Sequence, residues 1–366
     1  MRPSVLAAAG LVLASVLVSV ALAGGGAPPR KQLIEFGWDE PNPRFMREHI
    51  AELQASPFDG CVFHVDYTTP SGDSGSFTWN LWGHRRFESA ELGVALADLR
   101  ATRFGRFREN FLRVNVTPAD LDWFEDHGAV LANLELAARL AKQGGCRGVL
   151  FDVEQYRGKL WDFREQTKQR SRSWDEMAAR VRTLGAEAMR AFERGYPGLT
   201  VFMTFAYSMP LDETGIFRRP LPDAHYGLLT PFLDGMVSAA SDQVVIVDGH
   251  EASYPYRDPA QFAAKSDSMR HGARRLAAQP DRYASRLSVG FGIWLDYNWH
   301  ELGWDVHDPM KNHFPPPSFA VAVQAALDHA DRYVWIYSEK PRWWSPERTT
   351  RALPAAYDSV LRAVKR

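Results

Sequence analysis

Short, nearly uninterrupted apolar runs recur along most of this chain and alternate with amphipathic stretches of helical period. Eight such runs are predicted strands, at residues 33–37, 61–65, 111–116, 149–151, 200–205, 243–247, 287–295 and 333–337. Strands that are apolar on both faces are typical of parallel sheets buried between helices. Eight of them, with helices between, predict an α/β fold in which the strands close into a single (β/α)8 TIM barrel.

The predicted helices occupy the intervals between these strands. They are expected at residues 43–55, within 120–143, and at 174–194, 224–240, 258–278, 318–330 and 349–364. A doubly wound open sheet is the alternative, but no glycine-rich phosphate-binding turn follows the first strand. We therefore predict one barrel domain over residues 33–366.

The first 23 residues have the layout of a signal peptide. Arg2 precedes an apolar run from Val5 to Val20, and Ala21-Leu-Ala23 matches an A-x-A cleavage site. An uncleaved anchor is the alternative, although the run is short for a membrane span. The pattern predicts export to the periplasm or the cell exterior, a flexible leader over residues 24–32, and no membrane association after cleavage.

Charge and cysteine content exclude several classes of protein. The 43 basic and 44 acidic residues leave a net charge of −1, which gives no electrostatic basis for binding nucleic acid. The two cysteines, Cys61 and Cys146, lie near the starts of predicted strands that are too far apart in the sheet for a disulfide. We expect buried free thiols, and the sequence yields no prediction of oligomeric state.

Acidic and aromatic residues gather where the predicted strands end. In a barrel these carboxyl ends meet at one face, and that face holds the chemistry. Carboxylates and amides bind sugar hydroxyls, and aromatic rings stack on sugar faces, so the pattern predicts a carbohydrate substrate. The residues predicted to bind it are Trp38, Asp39, His64, Asp66, Tyr67, Asn115, Tyr156, Tyr207, Asp248, Trp299 and Trp343.

Two carboxylates, Asp152 and Glu154, stand one residue apart at the end of the fourth strand. Side chains two apart on a strand point to the same face, so these groups are expected to repel and to shift at least one pKa. A proton donor with an ionised helper needs such an arrangement. A pair that binds an arginine or caps a helix is the structural alternative. We expect Glu154 to hold the proton and Asp152 to be ionised.

On these residues the chain resembles secreted (β/α)8 glycoside hydrolases. The segment from Gly148 to Glu154 is similar to the fourth-strand signature of the chitinase-like, substrate-assisted hydrolases. The resemblance implies that Glu154 is the proton donor and that Asp152 orients an acetamido group of the substrate. Two further acids of that signature are replaced here by Leu150 and Arg147.

The resemblance leaves the second catalytic carboxylate open. In many retaining barrel glycosidases the nucleophile lies on strand seven, which would be Asp296. In another group the fourth-strand aspartate is the nucleophile and a sixth-strand acid is the donor, which would pair Asp152 with Asp248 or Glu251. Glu339, after strand eight, is a further candidate. The separation of the carboxyl groups distinguishes these geometries.

Two other functional classes compete with a glycosidase. The first is a non-catalytic barrel that binds glycans, and the second is a metal-dependent hydrolase. Eleven histidines are present, but no H-x-H follows the first strand and no H-E-x-x-H occurs. We therefore predict no metal and no cofactor. One of the adjacent rings Trp343 and Trp344 is expected to stack on substrate, because both follow Pro341 in a predicted loop.

Overall fold

Parallel strands dominate the sheet structure of the computed structural model, which describes residues 30–166, 171–215, 218–346 and 352–365. Lys31–Arg366 form one compact unit. The predicted signal peptide lies outside the described residues. The strands are β1 (Gln32–Gly37), β2 (Gly60–Phe63), β3 (Asp66–Thr68), β4 (Ser74–Ser76), β5 (Phe111–Asn115), β6 (Gly148–Asp152), β7 (Thr200–Met203), β8 (Val245–Asp248), β9 (Leu287–Val289), β10 (Phe291–Trp294) and β11 (Tyr333–Ser338).

The main sheet closes on itself through a strand that is broken at Gly290. Its order is β10-β11-β1-β2-β5-β6-β7-β8-β9, and every pairing in it is parallel. Because β9 and β10 are the two halves of the predicted strand 287–295, pairing of β9 with β8 and of β10 with β11 completes the circle. The predicted (β/α)8 barrel is confirmed.

Helices connect the barrel strands. They are α1 (Pro43–Glu48), α2 (Ile50–Ala55), α3 (Gly93–Ala101), α4 (Gly128–Gln143), α5 (Trp174–Gly195), α6 (Ser208–Thr214), α7 (Leu229–Ala239), α8 (Pro259–Asp267), α9 (Ala273–Leu276), α10 (Pro280–Arg286), α11 (Trp299–Leu302), α12 (Pro316–His329) and α13 (Ala355–Val364). The sequence pattern did not predict α3, whose buried positions are only Ala95 and Leu99. A helix that buries so little has a weak apolar period.

Alternate residues of the strands fill two separate cores. Inward-pointing side chains such as Ile34, Phe111, Phe202 and Trp335 pack inside the barrel. Their neighbours along each strand pack outward against the helices. Both faces of the sheet are therefore buried, which explains the nearly continuous apolar strands.

Cys61 and Cys146 are both buried and free, as the sequence predicts. β3 and β4 form a small antiparallel hairpin in the long segment after β2. No helix in the described ranges is both long and apolar enough to cross a membrane.

The first strand carries a buried ion pair that faces away from the barrel interior. Arg342 Nη2 lies 2.6 Å from Glu35 Oε1, and both side chains are fully buried. Arg342 also donates to the Ser338 carbonyl at 2.8 Å. Its guanidinium fits over Gly37, where an added Cβ would lie 1.7 Å from Nη1. Burial raises the pKa of Glu35 to about 7, although the positive charge of Arg342 lowers it in part.

Candidate active site

A pocket of about 190 Å³ opens at the carboxyl ends of the barrel strands. The residues on its wall belong to or follow seven strands, because the parallel barrel brings the carboxyl ends of its strands to one face. The lining residues are Phe36, Gly37, Trp38, Arg113, Glu154, Tyr156, Thr204, Glu251, Tyr254, Trp294, Tyr337 and Glu339.

Glu154 leaves the end of β6 and reaches the pocket. Its backbone N–H donates to Asp152 Oδ1 at 3.1 Å, which fixes the chain at this turn. Burial raises the pKa of Glu154, and the nearby charge of Asp152 raises it further. The charge of Arg113 opposes this rise.

Glu251 comes to the same pocket from the turn after β8. Its backbone N–H donates to the Thr204 carbonyl at 2.9 Å, and the preceding residue, His250, adopts a left-handed φ of 41°. Burial raises the pKa of Glu251 well above its usual value, and the charges of Glu154 and Asp152 raise it further. Glu251 Oε2 is buried and has no hydrogen-bond partner within the described part of the chain.

Asp152 supports the pocket from behind and is not part of its wall. It is completely buried, and its Oδ2 accepts from Arg113 Nη2 at 2.8 Å and from the Tyr156 hydroxyl at 3.0 Å. A carboxylate with these partners orients two pocket residues. Asp152 therefore has the arginine partner of the structural alternative, whereas Glu154 lines the pocket.

Arg113 is a pocket residue that the sequence analysis missed. It lies in the middle of β5, and its Nη1 is 3.3 Å from Glu40 Oε1. Burial alone would lower the pKa of Arg113, but the carboxylates of Glu40 and Asp152 raise it. An arginine inside the apolar run 111–116 was the available signal, because a buried charge requires a partner.

Aromatic rings form the remainder of the wall. Trp38 is 51% exposed and stacks on Trp79 with ring centres 6.1 Å apart and an interplanar angle of 5°. Tyr156 meets both rings edge to face. The rings of Tyr254 and Tyr337 stack with their centres 5.3 Å apart. An exposed tryptophan face at the mouth of a polar pocket suits stacking on a sugar ring.

Glu339 is the third carboxylate on the wall. Its Oε2 accepts from Trp299 Nε1 at 2.7 Å and lies 3.3 Å from His300 Nε2. Its Oε1 accepts from the Tyr337 hydroxyl at 3.0 Å. Trp299, predicted to bind substrate, therefore orients Glu339 and is not itself a lining residue.

Asp296, a predicted nucleophile, is buried beneath this carboxylate and does not line the pocket. It accepts from Trp294 Nε1 at 2.9 Å and from the backbone N–H groups of Glu339 and Lys340 at 3.1 and 2.7 Å. Burial raises the pKa of Asp296 to about 6. Its contacts make it a support for Trp294 and for the loop that carries Glu339.

Three residues predicted to contact substrate lie in the interior instead. Asp248 accepts from the backbone N–H groups of Ala206 and Ser208, so it anchors the start of α6. The other two, Tyr207 and Trp343, pack in the outer core. The Tyr207 hydroxyl donates to Asp234 at 2.9 Å, and Trp343 meets the ring of Phe58 and donates to Asp358. Trp344 is completely buried as well, so neither ring of that pair is a stacking platform.

Asn115, also predicted to contact substrate, ends β5 and is completely buried. It is not a lining residue, and neither atom of its side-chain amide has a partner in the described ranges.

Of the predicted residues after β1 and β2, Trp38 lines the pocket, whereas Asp39, His64, Asp66 and Tyr67 do not. His64 stands between Glu40 and Asp66; burial alone would lower its pKa, but these two carboxylates raise it. Asp39 accepts from the Ser345 hydroxyl. The ring of Tyr67 packs on the ring of Phe87, with ring centres 5.0 Å apart. Within the described residues, no group of three or more His, Cys, Asp or Glu side chains could hold a metal ion.

No protein-family model and no curated protein matches this chain. It is similar to solved structures that include a broad-specificity endoglucanase from Clostridium longisporum (9% identity, 87% of this chain and 85% of that chain, TM-score 0.48). A second is an endocellulase from Pyrococcus horikoshii (9% identity, 93% of this chain and 93% of that chain, TM-score 0.46). A third is an exo-β-1,4-mannosidase from Opitutaceae bacterium strain TAV5 (13% identity, 84% of this chain and 52% of that chain, TM-score 0.43). With each TM-score below 0.5, the barrel assignment rests on the strand pairings.

Proposed function

We propose that this protein hydrolyses glycosidic bonds with Glu154 and Glu251 as its two catalytic carboxyl groups. The observation that supports this most is that both groups line one aromatic pocket, where the charge of Glu154 raises the pKa of Glu251. Glycosidic cleavage needs one carboxylic acid to protonate the leaving oxygen and one carboxylate to act as nucleophile or base. Two coupled glutamates supply both roles, because they do not ionise together easily.

We assign the proton donor to Glu251 and the ionised role to Glu154. Burial and the charges of Glu154 and Asp152 raise the pKa of Glu251 well above its usual value, although a hydrogen bond from Tyr254 and the charge of Arg113 oppose this rise. Its Oε2 has no hydrogen-bond partner in the described chain. The pKa of Glu154 is raised less far above its usual value, and the charge of Arg113 opposes the rise at both groups. This assignment reverses the expectation from the sequence, in which Glu154 keeps the proton.

The size of the pocket favours action at a chain end. Its volume of about 190 Å³ is below the roughly 300–1,000 Å³ that holds drug-sized ligands, so it suits a single sugar ring. Trp38, exposed at the mouth, would stack on the next ring of the substrate. We therefore propose that the enzyme removes one terminal sugar at a time.

The stability that the folded protein loses by holding two carboxyl groups in one pocket supports catalysis over simple glycan binding. Two coupled glutamates with raised pKa values destabilise the folded protein once they ionise, and a binding site gains nothing from that. We also propose export, on the basis of the N-terminal pattern of Arg2, the apolar run and Ala21-Leu-Ala23. Sequencing the N-terminus of the mature protein should locate its start after Ala23.

An activity screen on a panel of oligosaccharides and 4-nitrophenyl glycosides tests the proposed function. Wild-type protein should release a terminal sugar from at least one class. On an oligosaccharide that it cleaves, Glu154→Gln and Glu251→Gln should each lower the rate by at least a hundredfold. Glu301→Gln is the matched control, since Glu301 is exposed on α11 and outside the pocket. Folded variants of Glu154 and Glu251 that keep the wild-type rate would refute the assignment.

A further inference from the structure

The hydroxyl group of Thr204 is buried on the wall of the pocket. Thr204 is only 3% exposed, yet its hydroxyl has no hydrogen-bond partner within the described part of the chain. Buried hydroxyl groups are nearly always paired, because an unpaired one gives up its hydrogen bonds to water without replacement. Valine has nearly the same shape and would avoid this loss. What threonine adds at this position is a hydrogen bond, and a ligand in the pocket would supply its partner.

The strand register places Thr204 between the elements that carry the two glutamates. It is the first residue after β7, which lies between β6 and β8 in the sheet. Met203, the last residue of β7, pairs with the end of β8 and with the residue before the end of β6. By this register, Glu154 and Glu251 each come two positions after the level of Thr204. Thr204 therefore lies nearer the barrel interior than either glutamate.

A hydroxyl group at this position is suited to the sugar atom beside the bond that is cleaved. In the proposed reaction the anomeric carbon lies between the two carboxyl groups, and the sugar hydroxyl nearest to that carbon is the one on C2. A threonine hydroxyl can both donate to and accept from another hydroxyl group. Hydrogen bonds to the C2 hydroxyl strengthen as the oxocarbenium-like transition state forms, so this contact would favour catalysis as well as binding.

We propose that Thr204 binds the C2 hydroxyl of the terminal sugar and is a specificity-determining residue of the pocket. The inference rests on the proposed function of the same pocket and names a residue that selects its substrate. A sugar without a hydroxyl group on C2 would leave the Thr204 hydroxyl buried and unpaired in the complex, so such a sugar is disfavoured.

Hydrolysis of paired substrates measures this contact. The probes are 4-nitrophenyl glucosides, galactosides and mannosides of both anomers, with their 2-deoxy and 6-deoxy analogues. For the sugar that wild type cleaves best, the ratio of kcat/KM between parent and 2-deoxy analogue should fall by at least about fivefold in Thr204→Val. The intrinsic reactivity of each substrate is the same for every variant, so the change in the ratio reports the contact alone.

Three comparisons make this result specific. Thr204→Ser keeps the hydroxyl group and should keep the wild-type ratio. The ratio between parent and 6-deoxy analogue should be the same in wild type and Thr204→Val. Thr183→Val is the matched control, since Thr183 is exposed on α5 and outside the pocket. Equal slowing of the parent and the 2-deoxy substrate in Thr204→Val, the pattern expected if Thr204 held the attacking water, would overturn the proposal.

Urea denaturation without any ligand tests the premise that the hydroxyl is unpaired in the free protein. Thr204→Val removes this group and keeps the shape of the side chain, so its urea midpoint should equal or exceed that of wild type. A midpoint that falls below those of wild type and Thr183→Val would show that the hydroxyl is bound within the protein, and the proposal would fail.

Binding of free sugars separates failure of this inference from failure of the proposed function. Calorimetric titration of wild type with glucose, galactose and their 2-deoxy analogues should show at least about fivefold tighter binding of one parent sugar, and Thr204→Val should abolish the difference. This result would support the contact even if no glycoside is cleaved. Hydrolysis with an unchanged 2-deoxy ratio would refute the contact and leave the hydrolase assignment standing. Neither binding nor hydrolysis of any probe would refute both.

Discussion

At the scale of single residues, Asp152 acts through its neighbours. It holds Arg113 and Tyr156, and its charge raises the pKa of both Glu154 and Glu251. If Glu251 must be protonated, activity should fall on the alkaline side as it ionises. Replacing Asp152 by Asn removes a negative charge and should move the alkaline limb of the pH–rate profile to lower pH.

The pH dependence of kcat/KM for wild type, Asp152→Asn and the control Glu301→Gln measures this shift. The control should leave both limbs in place, because Glu301 is exposed and outside the pocket. An alkaline limb that stays at the same pH in Asp152→Asn would show that the carboxylates are not coupled.

Trp38 should contribute to substrate binding more than to the chemical step. One face of its ring stacks on Trp79, and half of the residue is exposed at the mouth of the pocket. Trp38→Ala should raise KM by about two- to tenfold, equivalent to about 0.5–1.5 kcal/mol, with little change in kcat. Leu302→Ala, which removes an exposed apolar side chain outside the pocket, is the control. A large fall in kcat with KM unchanged would contradict a stacking role.

At the scale of elements, the buried pair of Glu35 and Arg342 ties β1 to the segment after β11. The raised pKa of Glu35 means that its protonated form favours folding. This contribution is complete below the unfolded pKa near 4.5 and is lost as pH rises through about 7. Removing Arg342 removes the charge that lowers the pKa of Glu35, so the carboxyl would resist ionisation further.

Arg342→Met should therefore cost stability in a pH-dependent way. At pH 8 the unpaired buried carboxylate should lower the free energy of unfolding by about 3–5 kcal/mol, and at pH 5 the loss should be smaller. Urea denaturation at both pH values measures this, with Glu35→Gln/Arg342→Met as the variant expected to recover part of the loss at pH 8. An equal loss at both pH values would show that Glu35 is not the group responsible.

The register of β6 against β7 depends on a close backbone approach at Gly148. A Cβ there would lie 1.9 Å from the Thr200 carbonyl oxygen. Gly148→Ala should lower the free energy of unfolding by about 1–3 kcal/mol or more, because backbone must move. Gly93→Ala is the matched control: nothing lies within 4 Å of its added Cβ, and the substitution in α3 should be neutral or stabilising by about 0.5–1 kcal/mol. Equal urea midpoints for the two variants would contradict this register.

At the scale of the whole molecule, the barrel was predictable because its strands are apolar on both faces. All eight predicted strands occur, and the break at Gly290 splits the seventh without opening the sheet. The helix predicted at residues 43–55 is instead two helices that meet at His49. Local breaks of this kind depend on packing between distant segments, which a periodic pattern does not encode.

The site was only partly predictable, because a polar residue at a strand end can face the pocket or anchor a loop. Glu154, Glu251 and Glu339 line the pocket, whereas Asp248 and Asp296 bind backbone N–H groups nearby. These two classes look the same in sequence. What separates them is which backbone groups lie within reach after folding, and that is a property of the closed barrel.

The dependence of the rate on the leaving group tests the central claim, that Glu251 is the acid and Glu154 the ionised carboxylate. A 2,4-dinitrophenolate departs without protonation, whereas a sugar alcohol does not. Glu251→Gln should therefore slow the cleavage of oligosaccharide by about 10²–10⁴-fold and leave the 2,4-dinitrophenyl glycoside of the same sugar near the wild-type rate. Glu154→Gln should slow both substrates. Equal slowing of the two substrates in Glu251→Gln would contradict the account.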